Sequence, residues 1–159
     1  MAGVWTGLVL ALYLVARWLL NKPVDAPQGF GSDIAVLAAM LFFSVRYRRT
    51  LPEKKVTLKE LMQHNIWTGF VAALLFGISL WLYGTSVDGD LLNRCVARMI
   101  EFEQQDGNDR AETIATLEAY TLFTISWIGA FRTFVMSILW AFIAALLFQT
   151  EKAPVKEKK

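Results

Sequence analysis

The residues of this chain that could do chemistry are three charged side chains within or beside long apolar stretches: Arg17, Asp33 and Arg132. Ionisable groups are rare in apolar segments that cross a membrane, and there they pair with one another or line a binding site. Arg132 stands five residues after Trp127, and Asp33 opens the second apolar stretch. We expect Arg132 to pair with Asp33, with Arg17 close enough to join them. This cluster is either a structural ion pair that sets helix register or a site for an anionic headgroup or substrate.

Two further side chains, His64 and Cys95, are reactive by type, but packing or solvation explains their positions. His64 lies near the start of the third apolar stretch, where we expect a solvated interfacial residue rather than a proton relay. Cys95 lies on the apolar face of an amphipathic segment, where we expect packing; palmitoylation or redox chemistry would need an exposed thiol. A single cysteine excludes an intramolecular disulfide and a multi-cysteine metal site.

The sequence lacks the motifs that catalysis, phosphate binding or metal binding require. It has no Gly-rich phosphate loop, no nucleophile elbow, no metal-ligand spacing and no carboxylate pair within an apolar stretch. We therefore predict a protein that is not an enzyme and has no catalytic residue, cofactor or metal. We also expect it not to bind nucleic acid.

Composition and tryptophan spacing predict an all-α polytopic membrane protein. The 159 residues are 55% hydrophobic and 19% charged, with a mean hydropathy of +0.41, which is too apolar for an ordinary soluble domain. Three apolar stretches each carry two tryptophans 13 or 14 residues apart, which is roughly 20 Å along a helix. Tryptophan prefers the membrane–water interface, so these pairs predict two aromatic belts in a lipid bilayer. The pairs are Trp5 and Trp18, Trp67 and Trp81, and Trp127 and Trp140.

Four transmembrane helices are predicted within one domain of residues 1–150. The predicted spans are Gly3–Leu20, a second helix capped by Ser32 that continues through residues 34–45 into Arg46–Arg49, Ile66–Tyr83, and Thr124–Phe148. The first segment lacks the basic n-region of a signal peptide, and we expect it to remain as a helix. The third helix begins earlier, at a capping box of Thr57 and Glu60, and Gly84 is its predicted C-cap.

Residues 86–120 are too charged to span and predict an amphipathic helical hairpin between the third and fourth transmembrane helices. Its first helix has apolar residues at three- and four-residue steps: Leu91, Leu92, Cys95, Val96, Met99 and Phe102. Its second helix starts near Asp109, carries Ile114, Leu117 and Tyr120 on one face, and is expected to run without a break into the last span. We expect the apolar faces of the two helices to pack on each other, with the bilayer surface or a partner as alternatives. Residues 151–159 form a short charged tail that is predicted to be disordered.

The basic residues predict the orientation of the chain. Ten of them lie in the hairpin after the second helix and in the tail: Arg46, Arg48, Arg49, Lys54, Lys55, Lys59, Lys152, Lys156, Lys158 and Lys159. The positive-inside rule then places both termini in the cytoplasm and residues 86–120 outside.

Each predicted span also carries small residues at four-residue steps, which allow helices to approach closely in lipid. These residues are Gly3, Gly7 and Ala11; Gly31, Ala35 and Ala39; Gly69, Ala73 and Gly77; and Gly129, Thr133, Ser137, Ala141 and Ala145. They predict a compact bundle, with one stripe possible as a contact for a second copy or a partner.

The layout resembles the domain-of-unknown-function 4199 membrane proteins of Bacteroidota over most of the chain. The resemblance rests on Arg46-Tyr47-Arg48-Arg49, on Val56–Leu61 at the start of the third helix, and on an acidic helical segment with Met99 and Glu101. The turn at residues 105–108 departs from the family and does not align to it. The resemblance implies four helices in a bacterial inner membrane, and it brings no activity and no catalytic residue.

Two functions fit this sequence. The first is a non-enzymatic scaffold or accessory subunit that forms a small homo-oligomer or joins a larger membrane complex. The second is a small transporter or lipid-binding protein that uses the Arg17, Asp33 and Arg132 region. A transporter would need a continuous polar path, and the cytoplasmic halves of the spans are too apolar to supply one.

Overall fold

The computed structural model describes residues 1–20, 30–51, 56–105 and 111–150, and within these ranges the regular structure is entirely α-helical. The predicted all-α class is confirmed. The helices are α1 (Ala2–Leu19), α2 (Phe30–Thr50), α3 (Leu58–Ser86), α4 (Leu91–Gln105), α5 (Ala111–Glu118) and α6 (Leu122–Phe148). Residues 21–29, which follow the first predicted span, lie outside the described residues, as do Lys54, Lys55, the outer turn of the hairpin at 106–110 and the tail at 151–159.

Three helices, α1, α3 and α6, are long and apolar enough to cross a membrane. These are the first, third and fourth of the predicted spans. The second predicted span is present as the 21-residue helix α2, but it is not among the three. Its apolar run is interrupted by Asp33 at one end and by Arg46, Arg48 and Arg49 at the other.

The antiparallel pair α3 and α6 forms the spine of the molecule. A Cβ placed on Gly69 would lie 2.1 Å from Ser137 Oγ, and one on Gly77 would lie 2.8 Å from Ala130 Cβ. In an antiparallel pair, the residue numbers of facing positions have a constant sum. Here the sums are 206 and 207, so a single register holds along the pair. It extends past both helices to Thr150, whose backbone N–H donates to Val56 O at 3.0 Å.

The helix α1 runs parallel to α3 and packs closely on it. A Cβ on Gly3 would lie 2.7 Å from Val71 Cβ, and a Cβ on Gly7 would lie 2.7 Å from Leu75 Cβ. Glycine is required at both positions because backbone approach of this kind supplies much of the packing energy between helices in lipid.

The helix α2 runs antiparallel to α3 and therefore parallel to α6. Met40 Cε would lie 3.1 Å from a Cβ on Gly69, and Ser44 is hydrogen-bonded to Asn65. In both pairs the two residue numbers add to 109, as expected for a single antiparallel register. The same register places Phe30 opposite residue 79 of α3. Because α3 continues to Ser86, α2 begins seven residues, or about 10 Å, short of that end of the spine.

Helix α4 packs over this end of the bundle, which we call the α4 end. Leu91 and Cys95 are completely buried in the main apolar core with Leu14, Tyr83 and Ile125. The apolar face of α4 therefore packs both on the spanning helices and on α5, its predicted partner in the hairpin. The opposite end, where α2 finishes with Arg46–Arg49, is called the arginine end.

Three predicted details of the helix termini are wrong. Helices α5 and α6 are not continuous: α5 ends at Glu118, and the side chain of Thr121 caps α6 by accepting from the Thr124 N–H at 3.2 Å. Gly84 is not the C-cap of α3, because the helix continues to Ser86 and Val87 caps it. The reason for the glycine is packing, since a Cβ there would meet Leu122 at 2.6 Å.

The third wrong detail is the cap of α2, and one predicted cap is confirmed. Helix α2 begins at Phe30, so Ser32 lies inside its first turn and is completely buried. The capping box of α3 is present as predicted. Glu60 N–H donates to Thr57 Oγ1 at 3.3 Å, and Thr57 N–H donates to Glu60 Oε2 at 2.9 Å.

Candidate functional site

Asp33 and Arg132 form an ion pair between α2 and α6. Arg132 Nη2 lies 3.9 Å from Asp33 Oδ2, with 10% of the Asp33 side chain and 47% of the Arg132 side chain exposed. Asp33 lies in the first turn of α2, where the helix dipole favours a carboxylate. The arginine is thus held at the surface of the bundle, with its carboxylate partner beneath it.

This ion pair lies between the two tryptophan levels of the spine, five residues along α6 from Trp127. The register of the spine places Arg132 opposite Leu74, midway between Trp67 and Trp81. A charged group within a membrane span is costly, and pairing offsets only part of the desolvation cost. Both predicted roles of the cluster, a structural ion pair that sets helix register and a site for an anionic group, are compatible with this position.

Arg17, the third predicted member, is associated with another polar group at the α4 end. It lies within electrostatic range of Tyr83, whose hydroxyl donates to Asp88 Oδ2 at 3.2 Å. Asp88 also forms an ion pair with Arg94. The sequence analysis missed Asp88 and Arg94, although an aspartate directly after α3 and an arginine in the first turn of α4 were visible as a possible pair.

A second polar group lies inside the arginine end. Asn65 Nδ2 donates to Ser44 Oγ at 2.9 Å, and both residues are completely buried. The ring of His64 stacks on Tyr47 with a centroid distance of 4.3 Å. His64 is half-buried, and its Nε2 is buried with no hydrogen-bond partner among the described residues, so the expected solvated histidine is corrected to a packed one.

The tryptophans lie mostly on the outside of the helices. Trp5, Trp18, Trp67, Trp81 and Trp127 are exposed, whereas Trp140 is partly buried against the core with its indole N–H enclosed. In the register of the spine the tryptophans of α3 and α6 lie at matching levels. Those of α1 are shifted toward the α4 end by about one and a half turns, roughly 8 Å, because Gly3 packs beside Val71.

The predicted small-residue stripes are used inside the bundle. Gly3 and Gly7 face α3, and Gly69 and Gly77 face α6. The remaining predicted packing positions are buried: Ala73, Gly129, Thr133 and Ser137. The stripe of α2 is different, because Ala35 and Ala39 line an open cleft of about 440 Å³ between α1 and α2.

Within the described ranges no three His, Cys, Asp or Glu residues are close enough to hold a metal ion. A second cavity, of about 520 Å³ at the arginine end, is lined by Val45, Arg48, Arg49 and Phe148. A third, about 220 Å³, is an apolar groove between α3 and α6 flanked by Trp81 and Trp127.

Comparison with known proteins supports the resemblance seen in the sequence. Residues 2–150 match the family described as "Protein of unknown function (DUF4199)", which covers all six helices. No curated protein and no solved structure matches the chain. With 149 of its 159 residues matched, the chain belongs to the DUF4199 family.

Proposed function

We propose that the protein crosses the membrane four times, with α2 as the fourth crossing helix. Support comes from the path of α2 along α6. Asp33 pairs with Arg132 near the start of this path, and Arg49 shares a cavity with Phe148 at its end. Sixteen residues of each helix, about 24 Å, lie between these two contacts, so α2 follows α6 from the level of Arg132 to the arginine end. Because α1 and α3 run parallel and α2 is antiparallel to both, α2 is the described helix that returns the chain between them.

The arginine end faces the cytoplasm of a bacterial inner membrane in this proposal. Arg46, Arg48 and Arg49 lie together there, and Lys59 opens α3 at the same end. Basic residues close to a span are retained on the cytoplasmic side. Both chain termini are then cytoplasmic, and α4 and α5 lie on the opposite side of the membrane.

The proposed role is that of a non-enzymatic scaffold or accessory subunit. The observation that supports it is the position of Arg132. Nearly half of this side chain is exposed on the surface of the apolar helix α6, ten residues from its start. Burying it against a neighbouring transmembrane helix with a carboxylate or amide would strengthen its hydrogen bonding and remove it from lipid. The partner is therefore expected to be a polar-bearing helix of a second copy or of a larger membrane complex.

This contact replaces the small-residue stripes as the expected assembly surface. Gly129 and Ser137 are buried against neighbours within the chain, so changing them to leucine would disrupt the fold before it disrupted an oligomer. Phe131, next to Arg132, is instead one of the most exposed apolar residues of α6. The face with Phe131 and Arg132 is the one to test.

The test is the size of the particle in mild detergents, measured by light scattering. We expect a mass larger than one chain and its protein-bound detergent. Arg132→Gln should lower the association constant of the complex at least fivefold, which is about the effect of one strong interhelical hydrogen bond. The mean mass of the particle should fall accordingly. The matched control is Arg98→Gln, because Arg98 is also a surface arginine paired with a carboxylate, that of Glu101, but lies outside the spans. A monomer in several detergents that is unaffected by Arg132→Gln would contradict the scaffold role.

A lipid-binding protein is the second candidate, and a transporter is the less supported form of it. The main core combines apolar residues of α1, α2, α3, α4 and α6, and no continuous polar path appears among the residues described. The open, mostly apolar cavities between helices favour lipid binding instead.

A further inference from the structure

The cleft between α1 and α2 follows from the way these two helices pack on the spine. Gly3 and Gly7 bring α1 into backbone contact with α3, which draws it away from α2. On α2 the facing residues include Ala35 and Ala39, whose side chains are too short to fill the gap. The result is an open cleft of about 440 Å³ that is walled by apolar side chains along most of its length.

The length of the cleft matches one leaflet of a bilayer. It runs along α2 from Ala35 to Arg46, eleven residues or roughly 16 Å. Half of a hydrocarbon core is about 15 Å. Trp5, Val9 and Phe42 line the walls, so a single acyl chain would contact aromatic and aliphatic surface throughout.

The cleft has one charged end. Arg46 lines it, is exposed, and forms no ion pair or hydrogen bond with any residue of the described ranges. A guanidinium binds phosphate oxygens through two parallel hydrogen bonds, which makes arginine suited to a phosphodiester.

Positive charge and an acyl-sized cleft together specify the occupant. We propose that this cleft binds an anionic glycerophospholipid, with one acyl chain between α1 and α2 and the phosphate at Arg46. Arg48 and Arg49, which line the neighbouring cavity, add positive charge at the same end and favour a lipid with net negative charge over a zwitterionic one. This site is separate from the Arg132 surface and does not depend on a protein partner.

The experiment measures lipid binding to delipidated protein by native mass spectrometry. Phosphatidylglycerol and phosphatidylcholine with identical acyl chains are compared, together with glycerol phosphate, which is the headgroup without chains. We expect phosphatidylglycerol to bind about fivefold more tightly than phosphatidylcholine, the effect of about one favourably placed basic residue. Glycerol phosphate should not compete.

Two variants separate the charge from the cleft. Arg46→Gln should remove most of the preference for phosphatidylglycerol, with a small remainder from Arg48 and Arg49, while leaving weak binding of both lipids. Ala39→Leu, which fills the cleft, should weaken both lipids and keep the residual preference. Lys59→Gln is the matched control, because Lys59 is exposed at the same end but outside the cleft. Helix content by circular dichroism verifies that each variant is folded.

Three results would overturn the proposal. Equal affinity for the two lipids, or an equal loss of preference in Lys59→Gln, would mean that Arg46 does not bind the phosphate. Effective competition by glycerol phosphate would show a free-phosphate site with no acyl chain. Lipid binding that is unchanged by Ala39→Leu, accompanied by loss of a dimer, would identify the occupant of the cleft as a helix of a second copy.

Discussion

At the scale of single residues, the interaction between Asp33 and Arg132 carries most of the chemistry in this molecule. The carboxylate is nearly buried, while the guanidinium remains at the bundle surface. The energetic cost of removing the partner is therefore different for the two groups. An exposed arginine can snorkel toward water, whereas a buried carboxylate has no such route.

This asymmetry predicts the outcome of a double-mutant cycle. Arg132→Ala should lower the free energy of unfolding by about 2 kcal/mol, because it leaves Asp33 as an unpaired buried charge. Asp33→Asn should cost less, and the double variant should be less destabilised than Arg132→Ala alone. The measurement is reversible unfolding in mixed micelles. If the two single losses simply add, the pair contributes nothing to stability.

At the scale of secondary-structure elements, close approach of glycine to a facing helix determines how the spine is assembled. Gly69 and Gly77 each leave no room for a side chain against α6. Gly89, between α3 and α4, has no atom within 4 Å of the Cβ position and is free of this constraint. The two kinds of glycine should therefore respond differently to alanine.

Gly69→Ala is expected to destabilise the protein by about 2 kcal/mol, because the new methyl group overlaps Ser137 Oγ. Combining it with Ser137→Gly should restore most of the loss by vacating the same space. Gly89→Ala is the control and should lie within ~0.5 kcal/mol of the parent protein. Thermal unfolding followed by circular dichroism measures all three. Equal effects of Gly69→Ala and Gly89→Ala would contradict the assigned α3–α6 register.

The packing of α4 on the bundle is a second feature at the scale of elements. The reactivity of Cys95, which lies on α4, measures it. Cys95 is completely buried in the core beside Leu91, so a maleimide should react with it at least tenfold more slowly in the folded protein than after denaturation. A matched probe is Phe102→Cys in a Cys95→Ala background, because Phe102 is exposed on the same helix. Similar rates at the two positions would mean that α4 does not pack on the bundle in solution.

At the scale of the whole molecule, the arrangement of helices predicts the topology. Four crossings with a cytoplasmic arginine end place the α4 end on the other side of the membrane. Reporter fusions after Lys159 and near Asn108 should therefore report opposite compartments. The same compartment for both fusions would exclude the four-crossing arrangement. If each fusion keeps its compartment in a variant lacking the α2 arginines, other charges set the orientation.

Features that depend on short stretches of chain could be predicted from the sequence. The capping box of Thr57 and Glu60 is an interaction between residues three apart, and both of its hydrogen bonds are present. The three long apolar helices follow from apolar runs that only a helix can satisfy in lipid. The pairing of Arg132 with Asp33 was also predicted, although the two residues are 99 positions apart, because Asp33 opens the second helix on the side where Arg132 lies.

Only the tertiary structure determined how the helices use these residues. Gly84 carries the local signature of a helix C-cap, yet α3 continues past it because Leu122 packs against its bare backbone. Cys95 and Leu91 have an amphipathic pattern that cannot specify which surface they cover. They pack at the α4 end, where α2 begins about 10 Å short of the end of α3. This offset is set by helix register, which depends on contacts between side chains that are distant in the chain.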